Sequence, residues 1–155
     1  MSEIIVPKSK KVTVASTIDT ALGTTGAETI TLASGRTSEL FVDQINNILG
    51  SAQTDTIVLM TAGKVSIDSK IESMLGSEGT DIVTLGGTRG KVVLSGVESV
   101  VGRTGEDTVA FIGDGSVTVK SVERVLGDGN GDVAVTMASS GKLAVADVDS
   151  VIGGS

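Results

Sequence analysis

Apolar and polar positions alternate along this chain in a pattern that returns about every 26 residues, a period within the range typical of repeat proteins. In each unit an acidic residue precedes a short apolar run. A Gly-containing turn, a Val-x-Val segment and a closing segment of the type V-E-x-V-L follow. The inward positions of the Val-x-Val segment recur, for example, at Val65/Ile67 and Val92/Leu94. Because side chains alternate between the two faces of a strand, the pattern predicts three short strands in each unit, each with one buried face.

A glycine begins each unit and defines the repeat. These glycines are Gly23, Gly50, Gly76, Gly102, Gly127 and Gly153. Residues 11–23 also match residues 64–76 without a gap, so an incomplete unit precedes five complete ones. Repetition at such a fixed period is typical of solenoids, in which each repeat packs against its neighbours.

We therefore predict an all-β fold, a single-chain parallel β-helix (β-solenoid). Each coil would hold one repeat unit, about 26 residues, and three short strands. Residues 1–10 are predicted to form an N-terminal arm, and residues 11–155 a solenoid of about five and a half coils. The last unit departs from the pattern, because Val133, Val135 and Met137 fall out of phase with the inward positions of the other units. A bulge or a register shift is expected there.

The composition agrees with this fold. The 155 residues include 21 Gly, 39% hydrophobic residues and only 1% aromatic residues, so Val, Ile, Leu and Thr must build the core. β-branched side chains pack well on pleated strands, and glycine allows tight corners. A helical bundle is disfavoured by the same composition.

The residue types present give little support to catalysis. The sequence has no His, Cys, Trp or Tyr, which removes the most frequent general base, thiol nucleophiles and the usual zinc ligands. We expect a non-enzymatic protein without a cofactor. The net charge of −7 argues against direct nucleic-acid binding. The basic cluster Lys8, Lys10 and Lys11 is short and could dock on an acidic partner. No segment has the apolar length of a signal peptide or a membrane span.

Acidic residues recur at two places in each unit. The sixth position carries Glu28, Asp55, Asp81, Asp107 and Asp132, and the closing segments carry Asp19, Glu72, Glu98, Glu123 and Asp149. With one unit per coil, the first set would form a ladder along a single corner, and the second set a solvated stripe on the outer face. A carboxylate after a Gly-rich turn can accept backbone N–H groups and cap the corner. The alternative is a calcium site at Asp81, Asp107 or Asp132.

Two resemblances bear on function. The segments GSEGTDIVTL from Gly76 and GRTGEDTVAF from Gly102 resemble the G-x-G-x-D element of haemolysin-type (RTX-like) calcium-binding repeats, which implies calcium held in β-roll loops. In that family the element returns every nine residues, whereas here it returns only once in each much longer unit. The segments VESVVGRTGEDTV from Val97 and VERVLGDGNGDVAV from Val122 are similar to β-solenoid segments of bacterial surface adhesins and of tailed-phage virion proteins, both decoration and fibre types.

The last coil ends at VIGGS, at a corner, and would present an open edge to a second subunit, a partner protein or further repeats. We expect a multicopy structural protein of a virion, a rigid spacer or stabiliser on a phage capsid or tail. It would be made in the host cytoplasm and form homo-oligomers within a larger assembly. The alternative is a calcium-dependent binding module of an exported bacterial adhesin, secreted or held at the cell surface.

Overall fold

The computed structural model describes residues 2–36, 39–87, 91–130, 133–139 and 141–155. These residues form eighteen short strands and no helix. The strands form two nine-stranded sheets in which neighbouring strands are parallel. We call them the odd sheet and the even sheet, after the numbers of their strands. The predicted all-β parallel β-helix is confirmed.

The strands are short, three to six residues each. The odd sheet contains β1 Glu3–Ile5, β3 Thr20–Leu22, β5 Leu40–Asp43, β7 Thr56–Leu59, β9 Ser73–Leu75, β11 Lys91–Ser95, β13 Thr108–Phe111, β15 Arg124–Leu126 and β17 Ala144–Ala146. The even sheet contains β2 Lys11–Val14, β4 Thr29–Leu32, β6 Asn47–Leu49, β8 Lys64–Ile67, β10 Ile82–Leu85, β12 Ser99–Val101, β14 Gly115–Lys120, β16 Val133–Met137 and β18 Ser150–Ile152. Nine strands at about 4.8 Å spacing make each sheet roughly 38 Å tall.

The coil is shorter than the sequence unit. The chain alternates between the two sheets, so two consecutive strands complete one turn. Glu3 pairs with Thr20 and Lys11 pairs with Thr29, and the mean turn spacing is about 18 residues. The predicted coil, with one whole unit and three strands in each turn, is therefore wrong. The predicted number of five and a half coils is also wrong, since about eight turns are present.

One sequence unit, with its three strands, wraps one and a half turns of this flattened coil. Successive units are consequently related by half a turn, and equivalent strands fall alternately in the odd and the even sheet. The strands after Asp55, Asp81 and Asp107 are β7, β10 and β13, which belong to the odd, even and odd sheet in turn. Both sheets are thus built from the same three strand types.

The core lies between the sheets and consists of aliphatic side chains from both. The inward positions predicted from alternation, such as Val65, Ile67 and Leu94, are at most 3% exposed. Strand β1 pairs with β3, and Val6 is fully buried, so residues assigned to an N-terminal arm contribute to the solenoid.

The predicted register shift in the last unit is present in β16. Val133 and Val135 face the core there, and β16 pairs with β14 without interruption. Val135 pairs with Val117 as Val83 pairs with the equivalent Val65, yet Val135 is the eighth residue after Gly127 whereas Val83 is the seventh after Gly76. The last unit therefore has one more residue between its glycine and the paired positions of its first strand.

Candidate functional site

The acidic residues that begin the units are buried corner caps. Asp55, Asp81 and Asp107 are at most 2% exposed. Each accepts a hydrogen bond through Oδ2 from the backbone N–H four residues earlier. The donors are Ser51 at 2.6 Å, Ser77 at 2.6 Å and Arg103 at 2.8 Å. The cap closes the corner before the strand begins, as the first of the two interpretations from sequence predicted.

The acidic residues of the closing segments bind the next coil to these caps. Glu72, Glu98 and Glu123 accept, through Oε2, the backbone N–H groups of Asp55, Asp81 and Asp107, each at 2.8 Å. The same contact joins Ser2 N to Asp19 Oδ2 at 2.8 Å and Val133 N to Asp149 Oδ2 at 2.6 Å. These residues therefore link adjacent coils, a role that the prediction of a solvated stripe missed. The recurrent spacing of 16 to 17 residues between donor and acceptor was the available signal.

The predicted ladder of carboxylates along one corner is wrong. Asp81 lies between β9 and β10, where the chain passes from the odd to the even sheet, whereas Asp107 lies between β12 and β13, where it passes back. The two carboxylates are therefore on opposite edges. Asp55 and Asp107 share an edge but are three coils apart, about 14 Å. Asp132 lies outside the described residues.

The two described calcium candidates, Asp81 and Asp107, therefore do not share a site. Asp81 uses both carboxylate oxygens within the fold: Oδ2 accepts Ser77 N and Oγ, and Oδ1 accepts Gly63 N at 3.0 Å. Calcium takes six to eight oxygen ligands. Across the part of the chain that the structure describes, no group of three or more acidic residues is placed to hold a metal ion.

Glu28 replaces aspartate in the first unit and is fully buried. Burial acts to raise its pKa, but hydrogen bonds from Thr24 Oγ1 at 2.9 Å and Ser9 N at 3.4 Å help to outweigh it. The pKa of Glu28 consequently lies below its ordinary value of 4.5. Asn46 Oδ1 accepts Glu28 N at 3.0 Å, so an amide takes the place of the coil-linking carboxylate.

Asp19 holds the first coil at the other edge. The pKa of Asp19 is lowered, mainly by the hydrogen bond from Ser2 N, although partial burial opposes the shift. Ser2 Oγ donates to the same carboxylate oxygen at 3.2 Å.

Arg36 is a buried cation that the sequence pattern did not identify. It is 4% exposed and donates to the carbonyl oxygens of Ile18 at 2.7 Å and Ala15 at 2.8 Å. Burial lowers the pKa of Arg36, and the charges of Asp55 and Asp19 oppose that shift. Arg36 lies in the segment between β4 and β5, and the length of this segment differs from unit to unit, so the repeat gave no signal for it.

A polar groove of about 260 Å³ lies at the edge beside the first complete unit. Its lining residues include Thr24, Thr25, Gln44, Thr61 and Lys64. Aliphatic side chains such as Val42 and Leu59 complete the lining, so the groove combines hydroxyl, amide and apolar surface with a single amine, that of Lys64. At the N-terminal end the predicted basic cluster Lys8, Lys10 and Lys11 is exposed.

Comparison with known proteins places the chain in no family: no family model, curated protein or solved structure matches it. A helix of the length and apolarity needed to cross a membrane is absent from the described residues.

Proposed function

We propose that this chain is a non-enzymatic structural protein, a rigid β-helical spacer or stabiliser present in many copies on a larger particle such as a phage capsid or tail. Its partners would be other copies of the chain and the protein shell to which they attach. Its location would be the virion. This proposal involves no cofactor, membrane or direct nucleic-acid contact.

The use of the acidic side chains is the observation that carries this proposal. Asp55, Asp81 and Asp107 cap the corners from which their strands begin, and Glu72 and Glu98 are among the residues that link adjacent coils. These carboxylates serve the architecture, which supports a mechanical role over a chemical one.

The continuity of the core supports the same role. Buried aliphatic side chains run from Val6 in the first coil to Val135 near the last, and parallel pairing continues through both sheets. Unfolding any internal coil would expose apolar surface and break the pairing on both of its sides. Such a stack is expected to resist proteolysis and to transmit force along its axis.

The proposal is tested by thermal unfolding of the purified chain in excess chelator and in millimolar calcium. A parallel digestion with a nonspecific protease reports local opening. We expect a cooperative transition at the same temperature in both solutions and slow digestion in both. The physical reason is that the corner caps are backbone hydrogen bonds, which need no ion.

The competing function is a calcium-dependent binding module of an exported adhesin. A chain that is unfolded in chelator and folds only on addition of calcium would contradict our proposal and favour that module. Magnesium at equal concentration is the control for a general effect of divalent ions.

A further inference from the structure

Apolar side chains are uncovered at the C-terminal end of the solenoid. We define the C-terminal face as β17, β18 and the joining residues 147–149. Val145 and Val151 are 40% and 43% exposed there, whereas the equivalent Val42 and Ile48 of an internal coil are buried. An open sheet edge also offers unpaired backbone groups.

The two ends of the described solenoid match in repeat phase, which means that the order of strand types along each sheet would continue from one copy into the next. Each unit supplies a first strand after its acidic cap, a second from the Val-x-Val segment and a third from the closing segment. Along both sheets these types follow the fixed order first, third, second. The odd sheet begins with a first strand, β1, and finishes with a second, β17. The even sheet begins with a second strand, β2, and finishes with a third, β18. A second copy placed on the C-terminal face continues both orders.

The strand pairing of such a contact follows from equivalent internal pairs. The pairing of β5 with β7 aligns Val42 with Leu59. Val145 is the equivalent of Val42, and Val6 is the equivalent of Leu59. The same register at the ends of the chain therefore aligns Val145 with Val6 of the second copy. In the even sheet the pairing of β6 with β8 aligns Asn47 with Ser66. Their equivalents at the ends of the chain are Ser150 and Thr13, so Ser150 would align with Thr13 of the second copy.

Charge favours this head-to-tail arrangement. We define the N-terminal face as β1, β2 and the joining residues 6–10, which carry exposed Lys8 and Lys10. Residues 147–149 join the sheets at the same edge and carry exposed Asp147 and Asp149. Stacking of the C-terminal face on the N-terminal face brings opposite charges together, whereas stacking of two identical faces places charges of the same sign next to each other.

Pro7 limits the strength of the contact. Met60 N and Ile112 N, at equivalent positions of internal coils, each donate to the preceding coil at 2.9 Å. Pro7 has no N–H group, so the stacked ends would lack this hydrogen bond. The contact is therefore expected to be reversible and weaker than that between internal coils.

The unit glycines make the contact specific for its register. A Cβ atom at Gly50 or Gly102 would overlap the backbone carbonyl oxygen of the next coil, at Lys70 or Ser121. At Gly153 a Cβ atom would meet nothing within 4 Å. Thr17 is the equivalent of Lys70 in the first coil, so the carbonyl of Thr17 in a second copy would lie against Gly153.

We infer that the C-terminal face binds the N-terminal face of a second copy of this chain, so that copies stack head to tail in repeat phase. This inference rests on the proposed structural role and identifies the partner. Because the contact joins unlike surfaces and continues the stack, it does not close, and association is open-ended.

The test measures mass by sedimentation velocity and light scattering over a wide concentration range, in chelator, for three proteins. The wild type is expected to increase steadily in mass with concentration. Gly153→Ala should remain monomeric at the same concentrations and melt at the wild-type temperature, because its methyl group meets free space in the monomer. Gly63→Ala is the matched control: a Cβ atom there also meets nothing within 4 Å, and the variant should associate as the wild type does.

Single-cysteine variants test the register independently. Thr13→Cys and Ser150→Cys are both on exposed positions of a chain without cysteine. When the two variants are mixed and oxidised, the heterodimer should form faster than either homodimer. Equal rates for all three species would contradict the register.

A wild type that stays monomeric throughout, or a Gly153→Ala variant that associates like the wild type, would overturn the inference. If such a chain remains folded and protease-resistant in chelator, the proposed structural function stands while the inference fails. If the chain is unfolded in chelator, the proposed function itself fails.

Discussion

At the residue scale, the acidic side chains accept backbone N–H groups in two ways, within their own corner and from the adjacent coil. Asp81 closes its own corner through Ser77, and Glu98 accepts the N–H of Asp81 from the next coil. A charged acceptor strengthens a backbone hydrogen bond and leaves no buried donor unsatisfied. The regular acidic pattern is thus explained by backbone geometry.

Substitution of Asp81 tests this role. Asp81→Ala leaves the N–H groups of Ser77 and Gly63 without their acceptor and should lower the free energy of unfolding by about 2–3 kcal/mol. Asp81→Asn keeps one of the two accepting oxygens and should cost roughly half as much. Urea unfolding gives both values. Glu78→Ala, at an exposed position of the same corner, is the control and should change stability by less than about 0.5 kcal/mol. An equal loss in all three variants would contradict a specific cap.

Asp19 and Glu28 predict the response to acid. Both have a pKa below the ordinary values of 3.8 and 4.5, because hydrogen bonds from Ser2 and Thr24 favour their charged forms. A lowered pKa in the folded state contributes stability that is present above the ordinary value and is lost as the pH falls through the folded value. The free energy of unfolding should therefore be level near neutral pH and fall below about pH 4.5.

Glu28→Gln is the matched variant for this effect. It retains an oxygen for Thr24 and Ser9 but cannot titrate, so its stability deficit relative to the wild type should shrink from about pH 7 to about pH 3. Urea titrations at each pH measure the difference. A deficit that grows in acid would refute the sign of the shift.

At the element scale, alternation within each strand decides which side chains enter the core. In β11, Leu94 is fully buried while Val93 faces outward and is partly exposed. The strands are too short to be stable alone, and their stability comes from packing against the opposite sheet and the neighbouring coils.

A pair of neighbouring substitutions tests this assignment. Leu94→Asp places a charge among aliphatic side chains and should abolish the cooperative melting transition, while Val93→Asp should leave a transition at a reduced temperature. Circular dichroism during heating distinguishes them. A near-native transition for Leu94→Asp would contradict the inward register.

At the scale of the whole molecule, the half-turn relation between units governs the arrangement of both sheets. Because a unit spans one and a half turns, each edge receives an acidic cap only once in three coils. Corner caps that a full-turn repeat would stack in adjacent coils are thereby placed three coils apart, and the carboxylate beside each cap belongs to a coil-linking residue such as Glu98. The same relation gives the two ends of the chain strand types that continue the repeating order in both sheets.

The sequence by itself determined the strands from residue 11 onward, most of their inward faces and the β-solenoid class, because these follow from local alternation and from a fixed repeat. It missed β1, which lies before the first recognisable unit. It also indicated the corner caps, since a short carboxylate after a glycine-rich turn has few alternative partners.

Only the tertiary structure decided how many strands complete a turn. Alternation states which face of a strand is buried but contains no information on whether two or three straight segments close the coil. That choice depends on how the opposite faces pack. It separated Asp81 from Asp107, placed Glu98 against the N–H of Asp81 and buried Arg36 in a joining segment whose length varies between units. These are contacts between residues distant in sequence, and they exist only once the coils are stacked.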